Sequence, residues 1–196
     1  MSHFTETDPC PCGSGNTFAQ CCQPYLSGVQ SAPDARALMR SRYSAFVTHN
    51  ADHLIRTWYP PVRAQALRAE LVAGFGETEW LGLNVIDFQP GTAPDEAFVE
   101  FCACFIDKKS EDKQFIHERS RFRLTDGAWM YLDGVKPQTG RNDPCPCGSG
   151  KNIKNAVPDT GQAPSVNKHH RHQLLRIRTF HATPDEPEKN SANHLP

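Results

Sequence analysis

Phe98-Val99-Glu100-Phe101-Cys102-Ala103-Cys104-Phe105-Ile106-Asp107 is the stretch whose reading decides the fold. Val99, Phe101, Ala103 and Phe105 fall at every second position, the period of a strand that turns one face to a core. Turn signals bound the run: Pro90-Gly91 before it and Lys108–Asp112 after it. The same period continues outward. Trp80–Phe88 reads as a strand upstream, Gln114–Leu124 as one downstream, and Trp129–Leu132 as a short fourth. Asp126-Gly127, between the last two, is a two-residue hairpin signal.

Towards the N-terminus the period lengthens to that of a helix. Asp34 reads as an N-cap, with Leu38, Arg42, Ala45 and Phe46 on one stripe behind it. Asn50 caps a second helix that groups Leu54, Ile55 and Trp58 before Pro60-Pro61 stops it. A third carries Leu67, Leu71 and Phe75 at four-residue spacing and ends near Gly74. Three helices followed by a four-stranded antiparallel sheet give an α+β layer.

Four cysteines lie outside this pattern: Cys10-Pro11-Cys12-Gly13-Ser14-Gly15, then Cys21-Cys22. A structural metal site needs four soft ligands in a tetrahedron, each sulfur roughly 2.3 Å from the ion. A tight turn stiffened by Pro11 can aim Cys10 and Cys12 at one point, and Gly13 and Gly15 can take backbone angles closed to other residues. Asn16–Gln20 is long enough for about one helical turn before Cys21 and Cys22 close the site. Adjacent cysteines rarely pair without strain. Met1–Asp8 is polar and no apolar run follows, so no export signal is read and the thiols are expected to stay reduced. The set Cys10, Cys12, Cys21 and Cys22 therefore reads as one tight metal site, with zinc the expected ion and iron the other four-thiolate metal.

A second copy opens at Arg141-Asn142-Asp143-Pro144-Cys145-Pro146-Cys147-Gly148-Ser149-Gly150-Lys151. Where a cysteine pair should follow Asn155 stand Ala156 and Val157, so Cys145 and Cys147 form an incomplete half-site. Lys-Lys-Cys-Cys can be written AAA AAA TGC TGT. Loss of one A gives AAA AAT GCT GTx, which is Lys154-Asn155-Ala156-Val157. Pro158–Pro196 is accordingly read as an out-of-frame tail. It has no Cys, Trp or Tyr, five prolines and no sustained period, and is expected to be disordered. His169, His170 and His172 read as an accidental cluster; the other reading has them completing the site with Cys145 and Cys147.

The chain then divides into a metal knuckle (residues 1–30), an α+β domain (31–140), a truncated half-motif (141–157) and the tail (158–196). The α+β domain is expected to fold without the knuckle. With 196 residues and a formal net charge of −1, no global field favours nucleic acid or a membrane surface. The knuckle has no Lys or Arg between Met1 and Tyr25, so nucleic acid is not the expected partner. No apolar run reaches the roughly 18 residues of a spanning helix, and the cytoplasm is the expected compartment.

Cys-x-Cys-x8-Cys-Cys resembles the SEC-C motif, the zinc-binding tail of the SecA preprotein translocase ATPase. The order of helices and strands looks like the cone of the nuclear transport factor 2-like superfamily. Leu38-Met39-Arg40-Ser41-Arg42-Tyr43, Thr57-Trp58, Glu118-Arg119-Ser120-Arg121-Phe122 and Trp129-x-Tyr131-x-Asp133-Gly134 look like the bacterial YchJ family, in which SEC-C motifs flank such a domain. The resemblance brings architecture and no established activity. It implies a metal-binding accessory protein whose knuckle docks to a protein, a SecB-like chaperone or the ribosome. The alternative is a ligand-binding protein or enzyme using the cone. Its possible pocket would take Arg42, Tyr43, Trp58, His117, Arg119, Arg121, Tyr131 and Asp133, with His117 and Asp133 as an acid/base pair. No nucleophile motif accompanies them. His117, Arg119 and Arg121 share a strand face and read either as an anion-binding wall or as a solvated face paired with carboxylates such as Glu100. Cys102 and Cys104 read as small packing residues.

Overall fold

In the computed structural model, which describes residues 4–59 and 68–156, the sheet runs β1 (Thr78–Pro90), β2 (Glu96–Asp107), β3 (Lys113–Thr125), β4 (Ala128–Val135), all antiparallel neighbours in chain order. The expected meander is present, each strand longer than its sequence core. Asp126 and Gly127 take positive φ, as a two-residue hairpin turn requires.

Five helices accompany the sheet among the described residues: α1 (Gln23–Leu26), α2 (Ala35–Val47), α3 (Ala51–Arg56), α4 (Arg68–Gly74, continued by a 3-10 turn over Phe75–Glu77) and α5 (Ile153–Ala156). Both expected caps form. The Ala37 amide donates to Asp34 Oδ1 at 2.7 Å and the His53 amide to Asn50 Oδ1 at 2.9 Å. Pro60-Pro61, Leu67 and the tail from Pro158, with its His169–His172 cluster, lie outside the described residues. The helical turn expected over Asn16–Gln20 is not there. That stretch is a chain of turns, and the first helical turn begins at Gln23, after the cysteines.

One core joins the helices to one face of the sheet. Leu38, Tyr43 and Leu54 pack in the same buried cluster as Val99, Phe101, Ala103 and Phe122. Trp80 seals the edge, its ring 5.6 Å from those of Tyr43 and Phe105. The cluster also holds Cys10, Cys12, Phe18, Cys22 and Leu26. The knuckle thus shares one apolar interior with the α+β domain. No helix among the described residues is long and apolar enough to cross a membrane.

A polar network ties the knuckle side to α3. Arg56 donates to the Tyr25 and Leu26 carbonyls, both at 2.6 Å, and Asn50 Nδ2 donates to the Leu26 carbonyl at 3.3 Å. The Ser41 hydroxyl donates to the Leu38 carbonyl, so it accepts from His53 Nε2 at 2.9 Å, while Arg56 stands 3.0 Å from Nδ1. His53 is therefore neutral, with its proton on Nε2. Burial, with Arg42 and Arg56 adding to it, pushes its pKa down to about 3.

A depressed histidine stabilises the fold only while the unfolded chain is also neutral. As pH falls below about 6.5 the unfolded state takes up a proton that the folded state refuses, and stability drops by up to about 1.4 kcal/mol per pH unit until the folded pKa is reached. Denaturant titrations at pH 7 and pH 5 should show the intact chain losing about 2 kcal/mol over that interval, and His53→Gln losing clearly less. Equal losses would remove His53 from the acid limb.

Candidate metal centre

The first cysteine loop is built by its backbone. The Cys10 amide donates to the Asn16 carbonyl at 2.9 Å, the Gly13 amide to Cys10 at 3.1 Å and the Phe18 amide to Asp8 at 2.8 Å. Gly13 and Gly15 have φ of +70° and +84°, which a side chain would strain. A Cβ on Gly13 would also stand 3.7 Å from the Leu83 carbonyl of β1. Arg40, on α2, anchors the loop by donating to the Cys12 carbonyl at 2.9 Å.

This geometry brings the four thiols together. Four sulfurs each about 2.3 Å from a central ion stand about 3.8 Å from one another. Cys12 Sγ lies 3.6 Å from Cys21 Sγ, which lies 3.8 Å from Cys22 Sγ, and all four sulfurs fall within 4.8 Å of one another. These separations fit a tetrahedral cage and are far too long for disulfides; every cysteine is free. The Ser14 hydroxyl is 3.2 Å from Cys21 Sγ and the Ser44 hydroxyl 3.9 Å from Cys10 Sγ, so both offer outer support to the cage. Hydrogen bonds from Cys10 and Cys22 hold the Cys12 thiol well below the usual range, while burial raises Cys21 to about 11. The cluster thus shares protons that a cation would displace. The residues present fit a thiophilic ion, with all four coordination positions taken by protein.

The second loop repeats the backbone bonds of the first loop's opening turn. The Cys145 amide donates to Lys151 at 2.8 Å, Gly148 to Cys145 at 3.2 Å and Ile153 to Asp143 at 2.9 Å; Gly148 and Gly150 have φ of +78° and +73°. Pro144 bridges to Asn152 as Pro9 does to Thr17. The loop stands on the other face of β1, where Asn84 Nδ2 donates to the Pro146 carbonyl at 2.9 Å. Ala156, the last described residue, offers no ligand.

The possible pocket is divided by the sheet. Arg42, Tyr43, Trp58 and Tyr131 lie on the helix side. Arg42 is buried, donates to the Leu54 carbonyl and Thr57 Oγ1 at 2.9 and 2.7 Å, and stands 4.7 Å from the Tyr131 ring and 5.5 Å from that of Trp58. Burial pulls its pKa down to about 10, still charged at neutral pH. His117, Arg119 and Arg121 lie on the opposite face, because their alternation sets them against Cys102, Glu100 and Phe98. Asp133 joins them, although it is two residues from Tyr131. The ladder slips between Arg121 and Phe122, so that Arg121 faces Asp133 while Phe122 faces Tyr131. A bulge at Leu132 thus parts residues that plain alternation would group. His117 and Asp133 are not an acid/base pair: His117 Nε2 meets Glu100 at 2.8 Å, and Arg121 takes Asp133 at 2.5 and 3.0 Å. The outer face is one of paired charges.

Sequence reasoning missed the roles of Ser14 and Ser44, whose signal lay only in contacts, and read Arg40 as a pocket liner where it anchors the cysteine loop. It also missed Glu118, which accepts from Ser120 at 2.8 Å and Tyr131 at 3.1 Å on the helix side.

Comparison with known proteins agrees with this architecture. Residues 34–134 match the family described as YchJ, middle NTF2-like domain, and residues 7–24 and 141–152 match the SEC-C motif. A UPF0225 protein of Photorhabdus laumondii is 56% identical over 154 residues, covering 76% of this chain and 97% of that protein. The UPF0225 protein YchJ of Shigella dysenteriae is 56% identical over 145 residues, covering 74% and 94%. Among solved structures, a SEC-C motif containing protein from Rhodopseudomonas palustris is 34% identical with a TM-score of 0.59, covering 66% of this chain and 98% of that one. Another from Psychrobacter arcticus is 30% identical with a TM-score of 0.58, covering 76% and 94%.

Because the cage lies in the shared core, losing its ion should weaken the whole cooperative unit. Cys21→Ser with Cys22→Ser should remove one tightly held metal equivalent. It should also lower the thermal midpoint by roughly 10 °C, given about 2–4 °C per kcal/mol in a chain of this size. Elemental analysis and calorimetry on anaerobically purified protein check both, and an unchanged midpoint would show that the cage carries no folding energy.

Proposed function

The chain belongs to the YchJ family of SEC-C proteins, and on that premise we propose that it is a zinc-stapled accessory protein that docks a protein partner through its N-terminal knuckle. The observation that carries this reading is the closed four-thiol cage. Catalytic zinc keeps an open position, whereas a set of four protein ligands suits a structural ion. Zinc suits the set because it accepts four thiolates without redox chemistry. Beside the cage, Phe4, Phe18, Leu26 and Asn50 help to line an open depression of about 300 Å³, a place for an apolar side chain of a partner. The enzyme reading is less well supported. On the helix side Arg42 lies against Trp58 and Tyr131 where a substrate would sit, and the proposed acid and base are each held by other groups on the far face.

By resemblance to the SecA tail, the first partners to test are purified SecB-like chaperone and ribosomes. The zinc-loaded chain should co-sediment with one of them, the Cys21→Ser, Cys22→Ser variant should not, and His117→Ala should bind normally. Binding that survives the double serine change would separate the knuckle from the partner surface.

The tail is proposed to be out of frame. The second SEC-C match ends at residue 152, and relatives covered almost whole leave about a quarter of this chain unmatched. Resequencing the coding DNA around Lys154-Asn155 should find a run of A one base short of a frame that encodes a cysteine pair. A frame that restores no cysteines would refute it.

A further inference from the structure

The incomplete half-site does not stand alone. Asn84, Cys102 and His117 are direct partners across β1, β2 and β3, so their side chains share the sheet face turned away from the helices. The second cysteine loop is fastened to this row by the bond from Asn84 to Pro146, and a Cβ on Gly148 would lie 3.4 Å from the same Asn84 nitrogen. Cys102 is fully buried there yet lies outside the main core cluster. Cys104 lies two residues from Cys102 on the same strand face, and Cys147 directly follows Pro146 in the docked loop, two residues from Cys145. Beside them His117, 7% exposed, meets Glu100 through Nε2, while its buried Nδ1 has no hydrogen-bond partner.

We propose that this face is a second, weaker zinc site, in which Cys104 joins Cys145 and Cys147 and the fourth ligand comes from Cys102 or His117. It is independent of the knuckle reading. The chemistry is that of a soft metal: two Cys-x-Cys pairs, one from a strand and one from a turn, present up to four thiolates. The histidine has the arrangement that favours ligation, because a carboxylate on Nε2 fixes the tautomer and leaves the buried Nδ1 as the unpartnered ring nitrogen. Among the described residues only Cys10, Cys12, Cys21 and Cys22 already lie within 4.8 Å of one another. The second set is an open series that an ion must draw together, hence the lower affinity. In this chain, where Ala156 and Val157 replace a cysteine pair, the sheet supplies the missing thiols.

Zinc alone is the probe, added to the full chain under anaerobic, reducing conditions. Metal content after titration should exceed one equivalent. Isotope-coded alkylation should show Cys104, Cys145 and Cys147 becoming protected together, at higher free zinc than Cys10, Cys12, Cys21 and Cys22. The N-terminal four serve as the internal control of folding and of the first site. Cys104→Ser should weaken the second equivalent at least about tenfold and expose Cys145 and Cys147 while the N-terminal four stay protected. His117→Gln should do so if histidine is the fourth ligand, and Cys102→Ala if cysteine is. The His169→Ala, His170→Ala, His172→Ala variant should change nothing. The proposal is overturned if Cys145 and Cys147 are alkylated equally with and without zinc. It is equally overturned if their protection survives Cys104→Ser but is lost in the triple histidine variant, or if a zinc-independent Cys104–Cys147 disulfide accounts for it.

Discussion

Burial of β2, along the whole of one face and at Cys102 on the other, is the constraint around which the described structure is arranged. A strand in the middle of a sheet satisfies its backbone through its neighbours, but each of its faces needs a cover. On one face Val99, Phe101 and Ala103 meet the helices and the first cysteine loop. On the other, Cys102 is buried between Asn84 and His117, beneath a region to which the second cysteine loop is fastened. The two loops therefore act on opposite sides of one edge of the sheet. Neither is a bead on a string. Cys10, Cys12 and Cys22 count among the core residues, and a change in their ligation reaches the packing of α2 through Arg40 and Ser44.

The parts of this arrangement that are periodic were readable in advance. Strand alternation places Val99, Phe101 and Ala103 together, and the Asp34 and Asn50 caps lie where short polar side chains precede a helical stripe, because both signals are local. What the sequence could not carry was any effect of a register slip. Tyr131 and Asp133 are two apart and should share a face, yet the irregularity at Arg121/Phe122 sends them to opposite sides. Nothing in Trp129–Asp133 announces a bulge, since its cause is the fit of two strands and not the composition of one. The same limit applies to the second cysteine loop, which is a long way along the chain from β1 and is brought to Asn84 only by docking.

Glu118 stands in a run of arginines, yet alternation puts it on the helix side of β3, opposite Phe101. There it gathers the hydroxyls of Ser120 and Tyr131, and a Cβ on Gly134 would collide with its carboxylate. The glycine is required by close approach and not by a turn. With Arg42 among the aromatic rings nearby, the charged groups of the helix side are engaged in internal contacts.

The two cysteine loops together separate what the metal does from what the chain does. Corresponding hydrogen bonds, bridges and positive-φ glycines form in both, although the second lacks its closing pair. The turn that aims the first two thiolates is therefore written in the Asp-Pro-Cys-Pro-Cys-Gly-Ser-Gly sequence that both loops share. A metal then acts on an organised site: it neutralises gathered thiolates and fixes the approach of Cys21 and Cys22, with little backbone left to order. The same turn lets the second loop, without a closing pair, present Cys145 and Cys147 together. Whatever thiols the sheet sets beneath such a pair become candidates for coordination, since the entropic cost of arranging half the cage has already been met by the turn.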